Sequence, residues 1–217
     1  MKIKVCGMRE KENIQALSGL EPDYMGLIFY PFSKRFVDET DVSLVQLLSD
    51  KIKVTGVFVN EPHEAVLRRA KQYHLKAVQL HGEETPEYCQ LLRGMLRIEN
   101  TEIELIKAFG MDEGFDFSVL EEYSTSVDYF LFDTKTPAHG GSGLKFNWEI
   151  LKNYHLNKPY FLSGGIGLDD LGSLKLLNDQ RLYAIDLNSK FETSPGLKDM
   201  EQVGRAINIL RSSVKNE

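Results

Sequence analysis

Eight short runs of strand-forming residues recur along the chain, roughly every 22–31 residues, with helix-like stretches between them. They are IKVCG (3–7), YMGLIFY (24–30), KVTGVFV (53–59), KAVQLHG (76–82), ELIKAFG (104–110), DYFLFDT (128–134), PYFLSGG (159–165) and YAIDLNS (183–189). Val, Ile, Phe, Tyr and Leu dominate them, the residue types that suit a pleated surface. Several are almost continuously apolar, as strands covered on both faces are. The intervening stretches carry a helical period. EKENIQALSGL aligns Ile14, Leu17 and Leu20, HEAVLRRAKQYH aligns Ala65, Val66, Ala70 and Tyr73, and the final LKDMEQVGRAINILRSSV aligns Met200, Val203, Ile207 and Leu210. Such spacing gathers apolar side chains on one helix face. Thr85-Pro86-Glu87 opens a further helix over 85–96 with Pro at its first helical position, and Pro62 is read the same way. The stretch 114–124, GFDFSVLEEYS, is short and mixed, and is read as the least regular of the helices.

Eight strands alternating with helices predict an α/β chain closed into a (β/α)8 TIM barrel. An open doubly wound sheet is the alternative. It usually carries fewer strands and, where it binds NAD, a GxGxxG turn after the first of them; CGMREKE has no such turn. No linker or shift of composition interrupts the chain, so residues 1–217 are read as a single barrel domain, at a length usual for one. The net charge of −6 argues against a nucleic-acid partner. The two cysteines, Cys6 and Cys89, form no CxxC or Cys/His cluster, which points to a reducing, cytoplasmic setting without a zinc site. No apolar run approaches the roughly 18 residues that span a bilayer, and the N-terminus lacks a signal-peptide pattern; neither a membrane nor a nucleic acid is expected as a partner.

In such a barrel, chemistry collects at the C-terminal strand ends. Those ends carry Cys6, the Ser33-Lys34-Arg35 loop, Asn60, His81, Asp133, Gly164-Gly165, and Asp186 with Asn188-Ser189. HGGSG (139–143, including Gly141), SGGIG (163–167) and NSKFETSPG (188–196) are glycine-rich. Glycine lets backbone N–H groups approach an anion, and barrels often hold phosphate after strands seven and eight, so these loops are read as a phosphate site. Asp133 suits a general acid or a carboxylate that caps the next loop. Arg35 offers a guanidinium fork to a carboxylate or phosphate. His81 has no second His at ligand spacing and is given a packing or hydrogen-bonding part. Asp186 either bonds sugar hydroxyls or needs a partner for its charge within the strand. Cys89 is read as a helical packing residue.

The stretches KVCGMR, SKRFV, VQLHGEE, LFDTKTPAHGGSGLKFNW, LSGGI and AIDLNSKFETSPGLKD, spread from the first strand to the last helix, together resemble the phosphoribosylanthranilate isomerases of tryptophan biosynthesis. The resemblance implies an Amadori rearrangement of N-(5-phosphoribosyl)anthranilate to 1-(2-carboxyphenylamino)-1-deoxyribulose 5-phosphate, with no metal or cofactor. The only partner expected is that small phosphosugar substrate, for a monomer or homodimer. Carried over by motif, Cys6 matches the general base, Asp133 the general acid and Arg35 the residue facing the anthranilate carboxylate. Gly141, Gly164, Gly165, Asn188 and Ser189 match the phosphate loops, and Asp186 matches a partner of the sugar hydroxyls. The chain departs from the family pattern in three places: SKR stands where SPR is common, Asn188 where Ser is common, and GGSG where GGTG is common. A base at Cys6 needs the thiolate, so N–H groups near Gly7-Met8 or a nearby cation are expected to lower its pKa. Two other readings remain: a metal-dependent epimerase, which EDTA would silence, and a non-catalytic anion-binding barrel, which would have no need of Cys6 and Asp133 together.

Overall fold

The computed structural model describes residues 1–38, 42–98, 102–135, 145–174 and 177–212. The eight runs become β1 (Lys2–Val5), β2 (Tyr24–Ile28), β3 (Lys53–Phe58), β4 (Ala77–Leu80), β5 (Glu104–Met111), β6 (Tyr129–Thr134), β7 (Tyr160–Leu162) and β8 (Leu182–Leu187). Each pairs in parallel with the next, and β8 returns to β1, closing the barrel. The expected (β/α)8 barrel is therefore the fold. Five α-helices are described: α1 (Lys11–Ser18), α2 (His63–Gln72), α3 (Pro86–Ile98), α4 (Leu171–Leu174) and α5 (Met200–Ser212).

The outer layer is less regular than the repeat predicts. The turns Val42–Leu47, Phe117–Tyr123 and Trp148–Asn153 are 3-10 helices. The second of these corrects the helix read over 114–124. Its start is fixed by Asp116, whose carboxylate accepts the Ser118 N–H at 2.9 Å, a local bond that favours a tight turn over a long helix. Pro86 does begin α3, with Thr85 Oγ1 accepting the Tyr88 N–H at 3.3 Å. Pro62 stands one position earlier relative to α2, at the N-cap with extended backbone; the reading of it as a first helical residue is corrected. Cys89 is buried in α3, as expected of a packing residue. The NSKFETSPG stretch is more than a loop. After a 3-10 turn at Ser189–Phe191 it forms a small antiparallel hairpin, β9 (Glu192–Ser194) and β10 (Leu197–Lys198). The hairpin turns at Gly196, whose φ of 88° lies in the region that favours glycine.

Strand alternation divides the core into two. Ile3, Val5, Met25, Leu27, Phe130, Phe132, Ile185 and Leu187 belong to the large cluster shared with the helices. Tyr24, Ala77, Ile106, Ala108, Leu131, Phe161 and Ala184 form a second cluster that fills the barrel. Side chains two apart on a strand share a face. The plug residues Ala77, Leu131, Phe161 and Ala184 are thus followed on that face by Gln79, Asp133, Ser163 and Asp186. A polar floor is built over an apolar plug.

Candidate active site

That floor lines a cavity of about 350 Å³ together with Cys6, Arg35, His81 and Asn188. Of the residues singled out in the sequence, Cys6, Arg35, Asp133, Asp186 and Asn188 are brought to this one cavity. Gly164, Gly165 and Ser189 are not among its lining residues, although Ser163 and Asn188 beside them are. Gly141 lies outside the described residues. Gly164 and Gly165 have φ of 93° and 62°, so the backbone turns there through a conformation that side chains resist. A Cβ on Gly164 would overlap Thr134 Oγ1.

Cys6 stands one residue beyond β1, its N–H bound to the Leu187 carbonyl at 2.9 Å. Two residues earlier on the same face, Lys4 is fully buried. Its Nζ reaches Asp186 Oδ2 at 2.9 Å, across the register pair Lys4↔Asp186, and its charge favours the Cys6 thiolate. Asp186 therefore has the charge partner its position demanded. Its Oδ1 is buried without a hydrogen-bond partner among the described residues, an acceptor held ready at the cavity wall. Burial pushes the Cys6 thiol up; Lys4 pulls it down, Asp186 adds to the rise and Lys198 opposes it, with a net upward shift. The expected lowering of the Cys6 pKa is thus reversed in the free protein: a cation is present, but desolvation outweighs it. Burial likewise pushes Asp186 up, against Lys4.

Gly26 makes room for the thiol. A Cβ there would stand 2.5 Å from Cys6 Sγ and 3.1 Å from its Cα. Gly26→Ala is expected to displace the thiol and cost about 1–3 kcal/mol of stability by overpacking, with kcat reduced about tenfold or more. Thermal melts and steady-state kinetics check this; an unchanged Tm with unchanged kcat contradicts it.

Across the cavity, Asp133 Oδ1 accepts the N–H of Thr134 at 2.8 Å. Oδ2 faces His81 Nε2 at 3.4 Å. Gln79 Nε2 lies 2.7 Å from His81 Nδ1. With the amide donating, Nδ1 is the acceptor and the ring proton is assigned to Nε2, directed at Asp133. His81 has the hydrogen-bonding part the sequence suggested, but as a neighbour of the candidate acid.

Arg35 is not free to face a ligand with all its donors. Glu192 takes it side-on, through Nε (2.8 and 3.1 Å) and Nη2 (2.7 Å). Glu192 also accepts from Lys198 Nζ at 2.6 Å, and Lys198 donates to Asn188 Oδ1 at 2.9 Å. Hydrogen bonding to Glu192 and its charge hold Arg35 above its usual pKa although burial, the largest effect, works against it. Burial also works most strongly against the Glu192 carboxylate, yet Arg35 and Lys198 draw it below the usual range. Gly7, with φ of 74°, admits this arrangement: a Cβ would fall 2.6 Å from Arg35 Cδ and 2.7 Å from Asn188 Oδ1.

The sequence reading missed Lys4, Gln79, Glu192 and Lys198. Lys4 and Gln79 had a signal, since each shares a strand face with a residue already singled out, Cys6 and His81. Glu192 and Lys198 had none until the hairpin was known. Among the described residues no group of three or more His, Cys, Asp or Glu is placed to hold a metal ion.

Comparison with known proteins shows what the whole chain is similar to. The family model for N-(5'phosphoribosyl)anthranilate (PRA) isomerase matches residues 3–208. An N-(5'-phosphoribosyl)anthranilate isomerase of Parabacteroides distasonis is 42% identical over 205 residues, covering 94% of this chain and 90% of its own. The crystal structure of phosphoribosyl anthranilate isomerase from Thermotoga maritima superposes with a TM-score of 0.84 at 32% identity, over 98% of this chain and 99% of that one. A structure of mutually generated monomers of the dimeric Thermotoga maritima enzyme is 29% identical, with a TM-score of 0.75, over 98% of this chain and 99% of that one. A further phosphoribosyl anthranilate isomerase structure holds reduced 1-(o-carboxyphenylamino)-1-deoxyribulose 5-phosphate; it is 29% identical, with a TM-score of 0.81, over 98% of this chain and 99% of that one.

Proposed function

The chain belongs to the N-(5'-phosphoribosyl)anthranilate isomerase family, and from that premise we propose that Cys6 and Asp133 are the base and acid of its reaction. The enzyme isomerises N-(5-phosphoribosyl)anthranilate to 1-(2-carboxyphenylamino)-1-deoxyribulose 5-phosphate, a step of tryptophan biosynthesis. The observation that carries the assignment is the meeting of a thiol from the end of β1 and a carboxyl from β6 on one cavity.

Asp133 gives its proton to the ribose ring oxygen as the C1–O bond breaks. The anthranilate nitrogen lone pair forms the C1=N iminium. The Cys6 thiolate then takes the proton from C2, and the C–H electron pair becomes the C1=C2 bond of an enolamine. Proton transfer from the C2 hydroxyl and to C1 gives the ketone. Asp186 Oδ1 is the acceptor offered to a sugar hydroxyl, which would relieve an unpaired buried oxygen. The backbone at Gly164-Gly165 and the turn at Asn188-Ser189 form the phosphate end, a task the resemblance also gives to Gly141.

Arg35 takes the anthranilate carboxylate. Glu192 occupies its Nε and one Nη2 position, so the end-on edge formed by Nη1 and Nη2 remains for a second carboxylate. Arg35→Ala is expected to raise KM about ten- to a hundredfold, the loss of a charged hydrogen bond of roughly 1.5–3 kcal/mol, with kcat within about threefold. An unchanged KM rejects the assignment. The reaction itself is followed by loss of anthranilate-type fluorescence with freshly made substrate, and the absence of isomerisation would overturn the whole reading.

We read the chain as one catalytic domain that acts in the cytoplasm on this small molecule, as a monomer or homodimer, without nucleic acid or membrane. Both thiols are buried and unpaired, and no helix among the described residues is long and apolar enough to cross a membrane.

A further inference from the structure

Arg35 presents a problem of charge. A guanidinium already engaged side-on by a carboxylate forms a neutral pair, and a neutral pair holds little net attraction for a second carboxylate. The hairpin supplies the missing charge. Lys198, on β10, is buried to 3% exposure, and its side chain is sealed from solvent. Its Nζ donates to the same Glu192 oxygen that Arg35 Nε contacts. The carboxylate oxygen Oε1 also receives the Gly196 N–H at 3.1 Å. Arg35, Glu192 and Lys198 thus form one buried network of two cations and one anion, with a net charge of +1.

We propose that Lys198 and Glu192 are positioning residues for substrate recognition: Glu192 aims the end-on edge of Arg35 into the cavity, and Lys198 neutralises Glu192 so that Arg35 keeps a full charge for the substrate's ring carboxylate. Several features of the hairpin fit this task. The β9–β10 pairing brings residues 192 and 198 opposite one another. Asn13 fixes the Lys198 backbone from both sides, its Oδ1 accepting the Lys198 N–H at 2.8 Å and its Nδ2 donating to the Lys198 carbonyl at 2.9 Å. Burial opposes the Lys198 ammonium and lowers its pKa, while the Glu192 carboxylate opposes that loss. A buried lysine in this position is costly, and a plain hairpin has no need of one. The second donor of Lys198, to Asn188 Oδ1, ties the carboxylate end of the cavity to the turn assigned to phosphate.

The proposal rests on Arg35 as the carboxylate-binding residue. Its test compares two substrates: N-(5-phosphoribosyl)anthranilate and the analogue made from ribose 5-phosphate and aniline, which lacks the ring carboxylate. The quantity read is the ratio of their kcat/KM values. Lys198→Met, which makes the network neutral, is expected to lower this ratio about tenfold, through KM for the carboxylate substrate and with little change for the aniline analogue. Glu192→Gln with Lys198→Met restores +1 while keeping an acceptor for Arg35, and is expected to bring the ratio back within about threefold of wild type. Glu192→Gln alone, at +2, is expected to raise it. If Lys198→Met does not fold, the order of the other three still decides: double variant equal to wild type, Glu192→Gln above both. A purely structural role would change both substrates alike and leave the ratio constant across the series, and that result overturns the proposal. Arg35→Ala separates the two ideas. Collapse of its ratio with no response to Lys198 or Glu192 variants rejects the charge network alone; an unchanged ratio in Arg35→Ala rejects the carboxylate reading beneath it.

Discussion

Asp133→Asn is expected to lower kcat by about 10²–10⁴-fold, the usual worth of a positioned proton donor, and to leave KM within about threefold. The substitution is close to isosteric. Its Oδ1 can still accept the Thr134 N–H that now binds Asp133 Oδ1 at 2.8 Å, so the local backbone keeps its partner. What is lost is the acidic proton. An amide cannot give one to the ribose ring oxygen, and ring opening then depends on water or on His81, 3.4 Å from the carboxylate. The measurement is steady-state turnover by fluorescence, with substrate binding followed separately. The variant also decides between the two readings the sequence left open. If Asp133 only capped its loop through Oδ1, Asn would serve almost as well and kcat would stay near wild type, which would reject the acid assignment.

The barrel was legible because its signal is repeated eight times and each strand is buried on both faces. Each observed strand lies within or near the run read for it, and the differences are confined to the ends. IKVCG extends past the pairing that stops at Val5, and PYFLSGG past the pairing that stops at Leu162. In both cases the first residue past the strand, Cys6 or Ser163, lines the cavity. The outer layer was less legible. Short polar side chains such as Asp116 and Asn147 bond nearby N–H groups and convert expected helices into 3-10 turns, a choice made by local bonds rather than by apolar period.

The site divides in the same way. Cys6, Asp133 and Asp186 could be read because a polar residue at the end of an apolar strand stands out against its neighbours. The partner of Arg35 could not be. Glu192 is 157 positions away in the chain, within a stretch whose Ser, Pro and Gly content suggested only a loop. Its carboxylate has meaning only once the hairpin meets Arg35 in the loop after β2. The sign of the Cys6 shift was hidden for a similar reason. Sequence places a lysine two residues from the thiol, but it does not say that both are sealed in a space where losing water costs more than the lysine returns.

That balance governs the second large effect. Cys6→Ser is expected to reduce kcat by about 10²–10⁴-fold, because a serine hydroxyl cannot supply an alkoxide near neutral pH. In the free enzyme the Cys6 thiol sits above its ordinary value, burial outweighing Lys4, so few molecules carry the thiolate at neutral pH. In the proposed mechanism the substrate supplies the missing cation. Ring opening creates an iminium beside C2, and a positive charge arriving near a desolvated thiol favours its ionised form. Under the proposed roles the base is armed only after the acid has acted. Two measurements follow with opposite signs of ordinary intuition. Iodoacetamide should alkylate the free enzyme at Cys6 more slowly than a free thiol near pH 7, with its pH midpoint above the about 8.5 of free cysteine. In wild type kcat/KM, which reports the free enzyme, should climb as pH rises toward that midpoint. Loss of activity in Cys6→Ser together with this late titration fits a buried base activated by its substrate. Full activity in Cys6→Ser would remove Cys6 from the mechanism. A midpoint below that of a model thiol would instead mean that Lys4, and not the iminium, prepares the thiolate.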